Sequence, residues 1–94
     1  MVDETNRPPP DLFSPQVQFL LTDAELGITF AEMACMPEHQ LDIRQRNLRN
    51  AQRAYDTVER LSKRTPMGEY EHQAISLALE KLRIALEGVR EMLP

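Results

Sequence analysis

The chain has no tryptophan, 3 glycines and 1 cysteine in 94 residues, and each shortage closes off a class of protein. Cys35 stands alone, which excludes an intrachain disulfide and the paired-cysteine spacing of a structural zinc site. Gly27, Gly68 and Gly88 are isolated from one another, so there is no glycine-rich loop to cradle a phosphate. Val, Ile, Thr and the aromatic residues never gather into an alternating run, and β-strands have little support. No stretch approaches the ~18 uncharged apolar residues that a membrane-spanning helix needs. The opening MVDETNRPPPDLF lacks an apolar run and is acidic where a secretory leader is basic, so a cytoplasmic protein is the expectation.

What is present favours helix. Ala, Leu, Glu, Gln and Arg dominate from Thr22 onward, and all are good helix formers. Hydrophobic residues at 41% and charged residues at 28% place the chain among soluble globular proteins with room for one modest core. The expectation is an all-α fold with a single helical domain over residues 14–94. Pro8, Pro9 and Pro10 favour an extended polyproline conformation, so residues 1–13 read as a flexible Pro-rich N-terminal arm.

Three helices are predicted. The first has two possible starts. Ser14-Pro15 is an N-cap followed by a proline at the first helical position, and Thr22-Asp-Ala-Glu25 is a capping box with Leu21 and Leu26 as a staple. The longer form accommodates Val17, Leu20, Leu21, Ala24, Ile28, Ala31 and Cys35 at helical spacing, and Pro37 ends it. The second helix begins between Glu38 and Asp42, with Asp42 and Gln45 as a candidate capping box, and runs to about Arg64. Its buried stripe is expected at Leu41, Leu48, Ala51, Tyr55 and Val58, with Ala54 and Leu61 at one edge. Asp42/Arg46, Asp56/Arg60 and Glu59/Lys63 are spaced for i,i+4 ion pairs. Thr65-Pro66 is expected to start the third helix, which runs from about Met67 to Leu93. Short joints make neighbours antiparallel, so the architecture is an up-down-up three-helix bundle, or a hairpin of the last two helices with the first across it.

The third helix carries more apolar surface than such a bundle can cover. Ile75, Leu79, Leu82, Leu86 and Val89 form one stripe, and Tyr70, Ala74, Leu77 and Ile84 lie beyond it. Together they span roughly 200° of the helix, against about 100° for an ordinary surface helix. The surplus at Tyr70, Leu77 and Ile84 implies another chain, as a homo-oligomer, a homodimer in the simplest form, or with a protein partner.

Charge is unevenly placed although the net value is -4. Arg44, Arg46, Arg49, Arg53, Arg60, Lys63 and Arg64 crowd the second helix, whereas the preceding segment is acidic with Arg7 as its one cation. Arg46, Arg49, Arg53, Arg60 and Arg64 fall on one outer sector, interrupted by Asp42 and Asp56, where they can steer an acidic partner or follow a phosphate backbone. A nucleic-acid-binding module is therefore the alternative reading. The overall acidity and the lack of interleaved aromatics weigh against it.

Groups for catalysis are sparse. Glu38-His39 and Glu71-His72 carry metal-ligating chemistry, but they head different helices. Antiparallel packing sets them roughly 35 Å apart, so only an antiparallel dimer could join them into a metal-dependent enzyme. Cys35 lies on an apolar helix side, the setting of a small buried hydrophobe. Ser14 and Ser62 lie in no nucleophile elbow. The expectation is no catalytic site, no metal and no cofactor.

Leu26-Gly27-x-x-Phe30 followed by Ala51-x-x-x-Tyr55 resembles the two halves of a tetratricopeptide repeat, with Asp23 where that family prefers Trp. The resemblance implies one helical hairpin in which Gly27 lets the backbones approach and Ala51 supplies the small contact opposite. One copy falls short of the array that forms a peptide-binding groove. The AYDTV segment is similar to short uncharacterised bacterial helical proteins, a likeness that implies no activity.

Overall fold

A computed structural model describes residues 12–93. Among them are α1 (Pro15–Ala34), α2 (Leu41–Ser62) and α3 (Glu69–Met92), joined by short loops into an all-α three-helix bundle. Of the expected arm, only Leu12 and Phe13 fall inside the described residues. Phe13 is half-buried against the core.

Helix α1 takes the longer of its two possible starts. Ser14 is the N-cap, its Oγ accepting from the Val17 N–H at 3.3 Å, and Pro15 opens the first turn. Thr22 is therefore an interior, exposed residue, and no capping box forms there. The helix stops at Ala34. Pro37 disfavours a helical conformation at Met36, and the chain leaves through i→i−3 bonds from the Cys35 and Met36 N–H groups.

Helix α2 is capped at Gln40 without a side-chain bond, so the expected Asp42–Gln45 box does not form. Asp42 instead accepts from the N–H of Ile43. The start of α3 also differs from expectation. Thr65 is committed to α2, its Oγ1 donating to the Leu61 carbonyl at 2.8 Å. Gly68 becomes the N-cap of α3, and its N–H donates to Glu71 Oε1 at 2.8 Å. This is half of a capping box, because glycine has no side chain to return the bond.

Two contacts define the up-down-up order. Ser14 at the head of α1 meets Glu71 at the head of α3, which makes those helices parallel. Arg44 in the first turn of α2 donates from Nε to the Ala34 carbonyl at 2.8 Å, so the head of α2 lies at the tail of α1. The guanidinium also places positive charge where the α1 carbonyls concentrate negative potential.

The core has two layers. At one end Val17, Leu20 and Ala24 meet Val58 and Ile75. At the other, Ala31, Ala34, Ala51 and Ala54 meet Leu82, Leu86 and Val89. The second layer is rich in alanine, so its helices approach closely. Gly27 sits at one such close approach. A Cβ there would lie 2.8 Å from Leu82 Cδ2 and 2.9 Å from Ala54 Cβ. Ala54, not Ala51, is thus the small residue opposite Gly27; Ala51 is buried within the alanine-rich layer.

The α2 stripe is rotated from the expected one. Its buried positions are Asn47, Ala51, Ala54 and Val58, whereas Leu41 stays 46% exposed. A stripe drawn through Leu41, Leu48 and Tyr55 follows one edge of the buried face, and Leu41 lies about 110° from its centre at the helical period.

Candidate interaction surface

The outer face of α3 holds apolar side chains that the bundle leaves in solvent. Tyr70 is 43% exposed, and Leu77 and Ile84 are each 57% exposed. They follow one another at intervals of seven, so they form a straight ridge along the helix, about 145° round from the stripe of Ile75, Leu82, Leu86 and Val89. Two flanking helices can shield only the inward part of α3, and this ridge lies beyond their reach.

Helix α1 bears a second ridge that was not singled out from the sequence. Phe19 is 60% exposed and Leu26 is 48% exposed, again seven residues apart, and exposed Leu12 lies seven before Phe19. The seven-residue interval is the signal that could have found them. Phe19 borders α2: with Pro15, Gln16, Leu20, Leu61 and Thr65 it lines a groove of about 520 Å³. A second hollow, about 320 Å³, lies farther along the same α1–α2 face, where Asp23 and Phe30 meet Asn50, Arg53, Ala54 and Thr57.

Arg46, Arg49, Arg53 and Arg60 are exposed on α2. The ion pairs expected for Asp42/Arg46, Asp56/Arg60 and Glu59/Lys63 are not closed. Among the described residues, pairs within 4.0 Å are Arg83–Glu80 and Arg83–Glu87 on α3. Asp56 accepts instead from Gln52 Nε2 at 3.0 Å. Among the described residues the exposed α2 guanidinium groups have no carboxylate within 4.0 Å, and by placement Arg53 lies beside the α1–α2 groove.

Comparisons of the chain with protein-family models, with curated proteins and with solved structures find no match. The tetratricopeptide resemblance therefore rests on its own residues. Gly27 and Ala51 are buried, Phe30 and Tyr55 are half-buried against the core, and Leu26 faces solvent.

The residues weighed for metal or nucleophilic chemistry are dispersed. His39 lies in the turn before α2, not in its first turn, and its N–H donates to the Met36 carbonyl at 3.2 Å. His72 is exposed near the head of α3, at the opposite end of the bundle. Among the described residues there is no group of three or more His, Cys, Asp or Glu side chains gathered as a metal site would need. Glu71 has a structural task. Its Oε2 accepts from the Ser14 N–H at 2.7 Å while its Oε1 holds Gly68, and these bonds keep its carboxyl pKa below the ordinary value. Cys35 is half-buried against the alanine-rich layer. Among the described residues, no helix is long and apolar enough to cross a membrane.

Proposed function

We propose that this protein is a small non-enzymatic interaction module that works by association, with itself or as an adaptor for a protein partner. It acts without a cofactor, in the cytoplasm. The observation that carries this reading is the exposed ridge of Tyr70, Leu77 and Ile84 on α3. Burying such side chains against a partner removes apolar area from water at about 25 cal/mol per Å². Arg46, Arg49, Arg53 and Arg60, which pair with no carboxylate among the described residues, supply steering and register, which charged rims contribute more effectively than raw affinity. Light scattering coupled to size exclusion tests the reading. The wild-type mass should exceed one subunit at high concentration, and Leu77→Glu with Ile84→Glu should reduce it to that of one subunit. An unchanged mass in the double variant overturns the self-associating form.

One observation favours a second reading as a nucleic-acid-binding module: among the described residues the exposed α2 guanidinium groups have no carboxylate within 4.0 Å. Its signature is affinity for an oligonucleotide that falls steeply as salt rises, since each phosphate contact releases counterions.

A further inference from the structure

The bundle carries two apolar ridges, and their rims have opposite charge. On α3, Leu77 and Ile84 run beside Glu80, Glu87 and Glu91, all exposed and within about 60° of the ridge at the helical period. Arg83 ties Glu80 and Glu87 together, and exposed Lys81 flanks the ridge on its other side, so three carboxylates against two cations leave that face net negative. On the α1–α2 face the apolar ridge is Phe19 and Leu26, and the rim is the arginine row of α2. Because α1 and α2 are antiparallel, Arg60 lies at the level of Phe19, where Leu61 meets it, and Arg53 lies nearer Leu26, beside Asp23 and Phe30. Both ridges repeat every seven residues, a rise of about 10.5 Å along a helix, so their side chains can alternate when the two faces meet.

Two copies joined α3 to α3 would set two net-acidic faces against each other, with Lys81, among the described residues, as the one cation on the ridge not already held by a carboxylate. Joining one copy's α3 to the α1–α2 face of the next sets acid against arginine. We propose that copies of this chain associate head to tail, the ridge of Tyr70, Leu77 and Ile84 on one copy seating against Phe19, Leu26 and the arginine row of its neighbour. This rests on the self-association proposed above and specifies its symmetry. The contact is heterologous, so each subunit keeps one unused face, and growth continues until a ring closes or a filament extends.

The test uses two double variants at exposed positions, Phe19→Glu with Leu26→Glu and Leu77→Glu with Ile84→Glu, each first checked for wild-type helicity by circular dichroism. Mass is read by sedimentation across concentrations. The wild type should grow beyond a dimer. Either variant alone should associate at least tenfold more weakly. The two mixed should form a one-to-one dimer and stop, since that pair retains one intact donor face and one intact acceptor face. A Phe19/Leu26 variant that self-associates like wild type, with no dimer specific to the mixture, overturns head-to-tail packing while leaving self-association standing. A wild type that stays at one subunit throughout removes both. Arg53→Glu with Arg60→Glu, which disturbs no core residue, gives a second reading. It should weaken assembly about tenfold at low salt and have little effect at 1 M salt; an unchanged assembly at low salt overturns the charge pairing.

Discussion

Leu82 of α3 closes over Gly27 of α1 so tightly that a methyl group on the glycine would stand 2.8 Å from Leu82 Cδ2. Ala54 Cβ, at 2.9 Å from the same point, blocks the other side and cannot swing away. Gly27→Ala gains about 1 kcal/mol of helix propensity but overpacks a junction of three helices, which typically costs about 1–3 kcal/mol. The expected result is a net loss of about 1 kcal/mol in urea denaturation. Gly88→Ala is the control. A Cβ there meets nothing within 4 Å, so the propensity term stands alone and stability should rise by about 0.5–1 kcal/mol.

Glu71 joins the heads of α1 and α3, and the link depends on its charge. Its folded carboxyl pKa is lowered, first by the backbone bond from Ser14 and next by that from Gly68. A group lowered in this way adds stability above its unfolded pKa of 4.5, and that stability is lost as pH falls through the folded value. Glu71→Gln should therefore lower the melting temperature at pH 7, and the gap from wild type should close on acidification toward pH 3. A gap that stays constant across that range would contradict a role for the carboxylate charge.

Removal of the α1 cap tests the same end of the bundle from its other partner. Ser14→Ala deletes the Oγ that accepts from the Val17 N–H, and loss of such a cap typically costs about 1 kcal/mol. Ser14→Asn restores a neutral acceptor, without setting a second carboxylate beside Glu71, and should recover most of the loss in thermal melts.

The parts of the fold legible in the sequence are those with local causes. Ser14-Pro15 fixes the start of α1 because capping chemistry acts within one turn. The start of α3 was misplaced for the same reason. Thr65-Pro66 carries an equivalent local signature, and only the structure reveals that the Thr65 hydroxyl belongs to the tail of α2. The α2 face was drawn off centre because Asn47, a polar residue, occupies a core position, and a stripe of apolar letters passes over it. On α3 the surplus at Tyr70, Leu77 and Ile84 was readable as an arc too wide for two neighbours. On α1 the ridge at Phe19 and Leu26 is not, because apolar residues lie nearly all round that helix, and which of them meet α2 and α3 is a tertiary outcome.

Leu77 and Leu82 lie five residues apart on α3, yet they should respond differently to the same truncation. Leu82 is fully buried at the Gly27 junction, so Leu82→Ala should destabilise the subunit by about 2–5 kcal/mol at any protein concentration. Leu77 is 57% exposed and packs on little of its own chain. Leu77→Ala should change the unfolding free energy of a dilute sample by no more than about 0.5 kcal/mol. If the α3 ridge is an interface, association stabilises the folded subunit by mass action, and the wild-type melting temperature rises with protein concentration. Leu77→Ala should then melt with wild type when dilute and fall below it when concentrated. Coincident melting curves at every concentration would leave Leu77 without a partner to contact.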